Sequence, residues 1–496
     1  MLSKEKAVAW RAMLSVSQQK SKDCYQSPAA GMSGSTRLVI QAVHVGLAVL
    51  RPIVKVVGRK HLERPMAWLE SKVKGVMFDC QMCGNCMLNL TALRCPTRCK
   101  KQIRNGPCGG VRQDGTCELD PTMVCAWRDI YEHNGELLPD RLPPREFNFE
   151  GRSTWIAEAL EGMPSVMPLP AKREVPAGRL EQDLASGDFV LTGEVAPGTA
   201  ANASAVLTQA ELLAPWVSAI NATDAAGANA ALSSMASCAL MARNGYTAVL
   251  QMTCRDRNRI ALQNDLLSAT ALGIENVLCL TGDGVANGDH PGAKPVFDLD
   301  SVSLIAAART MRDGGTFMSG RALNAPPTYY IGGVENPFAP PFGARVQRLK
   351  KKIDAGAQFV MTQLVYDLPQ FELFMEEVRR VGLDRRCHIL AGVGLLTSPK
   401  TANWISKNVP GICIPDEIIK RLESAEKPMN AGIAITVEIL RRMRTMEGLA
   451  GVHLMFHPSR LNLLGEILAQ AGLDTKEGRR RNFAPELVGA ESKAIA

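Results

Sequence analysis

Eight short apolar runs between residues 189 and 456 constrain the fold more than any other feature of this chain. They lie at 189–197, 216–224, 246–254, 276–283, 328–336, 359–367, 388–396 and 449–456. Each is rich in β-branched or other apolar residues, the composition of strands covered on both faces. Amphipathic stretches of helix length separate most of them, for example 201–213, 259–272, 344–355 and 369–381. Eight strand–helix units over roughly 290 residues predict an α/β chain folded as a (β/α)8 TIM barrel. A doubly wound sheet is the alternative, but no Gly-x-Gly-x-x-Gly turn follows the first run.

Upstream of the barrel the chain changes character. Residues 80–125 hold eight of its fourteen cysteines: Cys80, Cys83, Cys86, Cys95, Cys99, Cys108, Cys117 and Cys125. Three thiols at intervals of three, with a fourth close behind, suit the loop around an iron–sulfur cluster, so one or two [4Fe-4S] clusters are expected. Zinc is the main competitor, because Cys-x-x-Cys pairs also build tetrahedral thiolate sites. Disulfides are the bland reading. Cys80, Cys83 and Cys86 with either Cys95 or Cys99 form a natural first group, and the remaining thiols could complete a second. No export signal is apparent, so a reducing, cytoplasmic setting is expected, which favours thiolate ligands. Cys24, Cys238, Cys254, Cys279, Cys387 and Cys413 are scattered and read as core thiols.

These features divide the chain into a helical segment (1–75), flexible near 27–35, a small cysteine-rich metal module (76–135), a Pro-rich linker (136–185), the barrel (186–475) and a polar tail (476–496). The run at 38–57 is interrupted by Gln41, His44, Arg51, Pro52 and Lys55. It falls short of an uninterrupted membrane span and reads as a buried or docking amphipathic helix, so no integral membrane segment is expected. A net charge of +8 over 496 residues, without a long basic stripe, argues against a nucleic-acid partner.

Barrels of this kind place their chemistry at the C-terminal ends of the strands. The polar residues there are Glu194, Thr223 with Asp224, Arg255 with Asp256, Asp283, Asn336, Gln363 with Asp367, and the Gly392-Val-Gly394 turn. A single carboxylate such as Asp224 or Asp256 could simply cap the next helix. Glu194 stands inside an apolar strand, where a lone charge is costly unless it faces a functional pocket. Gln363 both donates and accepts hydrogen bonds, which suits the edge of a heterocycle; a satisfied core amide is its plainer reading.

The strings Leu191-Thr-Gly-Glu194-Val-Ala-Pro197, Leu280-Thr-Gly282-Asp283, Lys352-Ile-Asp-Ala-Gly-Ala-Gln-Phe-Val-Met-Thr-Gln363 and Gly411-Ile-Cys-Ile-Pro415 resemble the methylenetetrahydrofolate reductase family. The cysteine stretch, with Asn105-Gly-Pro-Cys-Gly-Gly110 and Cys125-Ala-Trp127, is similar to the partner subunit or fused domain that accompanies some of these reductases. The resemblance implies FAD in the barrel and reduction of 5,10-methylenetetrahydrofolate to the 5-methyl form with NAD(P)H. Carried over by position, Glu194 is the general acid that opens the imidazolidine ring, a role that calls for a raised carboxyl pKa. Asp283 contacts folate and tunes the flavin, Gln363 binds the pterin, Lys352 reaches flavin phosphate or ribityl oxygens, and Thr223 lines the flavin side. The chain departs from the family at Thr281, where known members carry Arg, and at Arg345, where they carry a carboxylate. Both departures touch the flavin side, so another flavin or direct hydride transfer stays open there. The implied assembly transfers electrons, with a redox partner protein and an oligomeric state expected. Two other readings are an electron-transfer or scaffold subunit with an inactive barrel, and a folate-binding barrel that passes methyl groups to a corrinoid protein.

Overall fold

The structure, a computed structural model, describes residues 33–137, 141–161 and 168–475. The expectations for a flexible stretch near 27–35 and for Cys24 fall wholly or largely outside the described residues, as does the polar tail.

Eight parallel strands close into a barrel: β3 (Val190–Val195), β4 (Ala219–Ala222), β5 (Ala248–Thr253), β6 (Asn276–Leu280), β7 (Tyr330–Glu335), β8 (Phe359–Leu364), β9 (His388–Val393) and β10 (Gly451–Leu454), with β10 pairing both β9 and β3. Each strand lies within one of the eight apolar runs, and helices Ser204–Leu213, Arg259–Ala271, Gly343–Ala355 and Leu368–Arg380 fall on the four amphipathic stretches. A two-stranded antiparallel hairpin, β1 (Thr116–Cys117) with β2 (Asp120–Val124), precedes the barrel in the cysteine-rich segment.

Strand alternation splits the core in two. One set of side chains, including Leu191, Val195, Ile220 and Leu250, packs outward against the helices. The other set fills the barrel's lower interior: Val190, Ala219, Val249, Leu278, Tyr330, Phe359, Met361 and Leu390, joined by Leu180 and Leu184 of helix Arg179–Ala185. That helix plugs the N-terminal end, which leaves the opposite end for chemistry. Tyr330 and Phe359 stack with centroids 5.0 Å apart. Gly332 makes this possible, since a Cβ there would lie 2.3 Å from Phe359 Cζ. Gly332→Ala is therefore expected to overpack the interior and cost about 1–3 kcal/mol, read as a lower denaturation midpoint. A midpoint equal to that of the unaltered chain would mean the ring stack gives way freely.

Ahead of the barrel, helices Gly34–Val57 and Arg59–Phe78 meet a further helix, Thr154–Glu161, inside the stretch expected to be a linker. Glu70, fully buried, ties the second of these to the third by accepting from Ser153 Oγ at 2.8 Å, and Lys74 Nζ of its own helix donates to it at 2.7 Å. The expected helix at 38–57 is present, but it is not buried. Val54 is its only buried residue, because among the described residues the helix packs chiefly against helices Thr154–Glu161 and Arg59–Phe78. By length and composition it could cross a membrane, the one such helix among the described residues.

Candidate active site at the barrel mouth

The strand register builds a polar chain at the C-terminal end of the barrel. Glu194 and Thr192 share the inward face of β3, and the register sets His453 of β10 beside Thr192. His453 Nδ1 lies 3.0 Å from Thr192 Oγ1, and its Nε2 lies 3.5 Å from Glu194 Oε2. The same carboxylate oxygen accepts from Gln251 Nε2 of β5 at 2.8 Å. His453 is 3 % exposed, whereas the Glu194 side chain keeps 22 %. A carboxyl backed by a buried imidazole and open on one side is arranged to exchange a proton with a bound molecule. The imidazole thus faces the Thr192 hydroxyl with one ring nitrogen and the Glu194 carboxylate with the other. His453 and Gln251 were absent from the sequence-derived site.

Below them, Asn221 is fully buried next to Glu194 in register. Its Nδ2 donates to Met361 Sδ at 3.1 Å, and its Oδ1 has no partner. Gln363 sits at an irregularity in the β8–β9 pairing. Such a bulge re-aims a side chain. Its Oε1 accepts from Leu364 N at 2.9 Å, and its amide nitrogen has no protein partner among the described residues. Gly392, on the neighbouring strand, has no room for a side chain: a Cβ would stand 2.6 Å from Thr362 O.

Asp283 is exposed after β6, with Oδ2 accepting from Gly227 N at 3.0 Å. Thr223 is buried at the end of β4, 8 % exposed. The neighbouring carboxylates do structural work. Asp224 accepts from Thr253 N and Oγ1 at 2.8 and 3.0 Å and pairs with Arg257. Asp256 binds Arg255, and Asp367 caps helix Leu368–Arg380 through Gln370 N at 3.0 Å. Glu194, Asp283 and Gln363 thus share one end of the barrel, and of these only Glu194 joins the histidine chain.

Lys352 is elsewhere. It is 2 % exposed, with Nζ 2.8 Å from Glu335 Oε2 and bonded to Val334 O. Glu335, absent from the sequence-derived list, engages this ammonium, which the expected role toward flavin oxygens would need free. Arg345 and Arg348 face the same carboxylate at 3.7 Å each. Burial alone would raise the Glu335 pKa, but Lys352, Arg348 and Arg345 together hold it below the usual range. Burial drives Lys352 down to about 8, only partly offset by Glu335, since three cations share one anion.

The cysteine-rich segment is fastened over this side of the barrel. Arg345 Nη1 donates to Cys108 O at 3.0 Å, Arg348 bonds to Asn105 O, and Asn336 Nδ2 donates to Gly109 O at 3.1 Å. Lys101 Nζ donates to Gly282 O at 2.6 Å, beside Asp283. Asp300 is the main latch. Its Oδ1 caps helix Ser301–Gly314 through Ser303 N, and its Oδ2 accepts from Arg104 N and Asn105 N at 3.1 and 2.8 Å. Asp300→Ala would orphan these buried donors at a cost of about 2–4 kcal/mol. The expected readout is faster proteolysis within 80–137 than within the barrel. Equal rates in the variant and the unaltered chain would show that the latch carries no load.

The eight thiols are free, and they fall into two neighbourhoods. Cys80 interacts electrostatically with Cys95 and Cys86, and Cys95 with Cys83. Cys99 interacts with Cys108 and Cys125, and Cys117 with Cys108. They are neighbours without converging: among the described residues, no three Cys, His, Asp or Glu side chains are placed to hold an ion. Donors already point at several sulfurs. Lys74 Nζ is 3.4 Å from Cys86 Sγ, and Thr97 Oγ1 is 3.4 Å from Cys83 Sγ.

Fold and mouth together define a parallel (β/α)8 protein with a carboxylate backed by a buried histidine at its C-terminal face. The chain belongs to the methylenetetrahydrofolate reductase family, whose model matches residues 179–472. A second model, described as "Methylene-tetrahydrofolate reductase C terminal", matches residues 60–140. The chain is 29 % identical over 242 residues to a Caenorhabditis elegans protein named "Probable methylenetetrahydrofolate reductase (NADPH)", covering 48 % of this chain and 34 % of that one. It is 27 % identical to Schizosaccharomyces pombe "Methylenetetrahydrofolate reductase 2", covering 47 % and 37 %. The chain thus spans little more than a third of the length of these relatives. A solved structure titled "Uncharacterized protein from Clostridium thermocellum binds two copies of 5-methyl-5,6,7,8-tetrahydrofolic acid" is similar at a TM-score of 0.44 and 14 % identity, over 60 % of this chain and 99 % of that one.

Proposed function

We propose that this chain interconverts 5,10-methylenetetrahydrofolate and 5-methyltetrahydrofolate, with Glu194 as the proton donor. The observation that carries the reading is the Thr192–His453–Glu194–Gln251 chain at the mouth of a barrel of this family. Glu194 gives its proton to the folate nitrogen that leaves carbon as the ring opens, and the iminium so formed accepts a hydride. Gln251 fixes the carboxyl, and His453 behind it can return the proton. Asp283 and the amide of Gln363 bind the pterin edge, one anionic and one neutral. Electrons come from NAD(P)H.

FAD is the flavin the family implies. Lys352, expected to reach its phosphate or ribityl oxygens, does not fit that role in this arrangement, and the neighbouring Arg345, Arg348 and Thr281 are engaged too. Lys352 is engaged by Glu335, Arg345 and Arg348 by backbone carbonyls, and Thr281 Oγ1 by Ser301 Oγ at 3.2 Å. The cysteines do fit a thiolate-held metal by donor type and number. Cys80, Cys83, Cys86 and Cys95 would hold one group, and Cys99, Cys108, Cys117 and Cys125 a second. Bound there, [4Fe-4S] clusters would supply one-electron transfer from a redox partner, and zinc would supply structure alone. A reducing cytoplasm would keep these thiols available.

Anaerobically purified full-length chain, assayed with each nicotinamide in both directions and analysed for metal, sulfide and flavin, tests the reading. Folate oxidation or reduction coupled to nicotinamide is the expected result. Methyl transfer to a corrinoid without redox change would replace it.

A further inference from the structure

Helix Gly34–Val57 carries two stripes that the barrel chemistry does not use. At about 100° per residue, Leu38, Val45, Val49, Ile53 and Val56 fall within an arc of roughly 80°. All five are exposed, from 47 to 87 %. The buried Val54 lies on the far side of the helix, which packs against helices Thr154–Glu161 and Arg59–Phe78. Between the apolar stripe and that packed face runs a flank holding Arg37, His44, Arg51 and Lys55. The helix has no acidic residue. An apolar stripe of this length is costly in water. Its one-sided positive flank complements an anionic surface.

We infer that this helix lies in the plane of an anionic membrane surface, its apolar stripe in the acyl boundary and its basic flank among the headgroups. Crossing the bilayer would strip the helix from the side it already packs against and would carry Arg51 and Lys55 into hydrocarbon, so lying flat is the favoured geometry. The barrel would then be tethered at the surface through the segment that carries the cysteines.

The test is co-sedimentation of the full chain with vesicles of phosphatidylcholine containing about one phosphatidylglycerol in three. The chain should pellet, and binding to pure phosphatidylcholine should be weaker by on the order of a hundredfold, given three basic side chains near the surface. The pair Val45→Asp and Val49→Asp should abolish binding to both vesicles. The pair Arg51→Gln and Lys55→Gln should remove most of the anionic preference, Arg37 keeping the rest, and leave binding to pure phosphatidylcholine unchanged. All four positions are exposed, so melting temperature and activity without vesicles should stay unchanged. Failure of the unaltered chain to pellet, or undiminished binding by the aspartate pair, overturns the proposal. So does self-association through the same stripe, seen as a dimer in sedimentation velocity that the aspartate pair dissolves.

Discussion

Glu194→Gln is expected to slow folate turnover by about 10²–10⁴-fold while leaving folate binding within a few-fold of normal. The substitution is isosteric, and its carbonyl oxygen can still accept from Gln251 Nε2, now 2.8 Å from Glu194 Oε2. The mouth keeps its shape and loses only its exchangeable proton. Loss in kcat without a matching rise in KM separates proton delivery from simple contact with the substrate. His453→Gln should act through Glu194 rather than on the folate. It would keep a polar group facing the carboxylate, leave KM nearly unchanged, and alter the pH dependence of kcat, since the imidazole behind Glu194 is removed. Steady-state rates across pH, with folate affinity by calorimetry, measure both. Turnover by the glutamine variant within about threefold of normal would end the assignment of Glu194 as the acid.

The barrel was readable because each strand is apolar on both faces and each helix repeats on its own period, so local pattern and burial agree. Glu194 stood out for the same reason, as a charge where the pattern demands none. His453 was hidden by that logic. It lies mid-run between Val452 and Leu454, and only the parallel register with β3 brings it to Thr192 and Glu194. The local signal that could have found it is parity, since a polar residue at an inward position of β10 is as anomalous as Glu194 in β3. Lys352 went the other way. Its position matched a family string, but its partner, Glu335, lies 17 residues upstream on a different element. Nothing in either segment announces the pairing. The separation of Cys95 from Cys99 into different thiol neighbourhoods is likewise a matter of chain path, which spacing left open. Helix Thr154–Glu161 was masked by the prolines around it, and it forms because Glu70 and Lys74 of another helix bind its first turn.

Glu335→Gln is expected to cost about 3–5 kcal/mol of stability, the largest loss of any single change at the junction of barrel and cysteine segment. Among the described residues Glu335 is the carboxylate that pairs with Lys352, Arg345 and Arg348, all of them at most 2 % exposed. An amide would still accept a hydrogen bond but would leave the buried positive charge uncompensated. Removing one cation should restore part of the loss, so Glu335→Gln with Lys352→Met should be more stable than Glu335→Gln alone. The pH dependence has a fixed sign. The folded Lys352 titrates near 8, below the usual 10.5 of lysine, so between those values the unfolded chain holds a proton that the folded chain has released. Stability contributed by this group therefore rises as pH climbs from about 8 to 10.5, and is lowest below 8. Comparing unfolding midpoints of the unaltered chain and Lys352→Met across that window isolates the group, because the thiols and tyrosines that also titrate there are common to both. Arg345 and Arg348 also hold the carbonyls of Cys108 and Asn105, so the same substitution should loosen the cysteine segment and speed its proteolysis. A Glu335→Gln chain that matches the unaltered one in midpoint and cleavage rate would show that the three cations do not depend on this carboxylate.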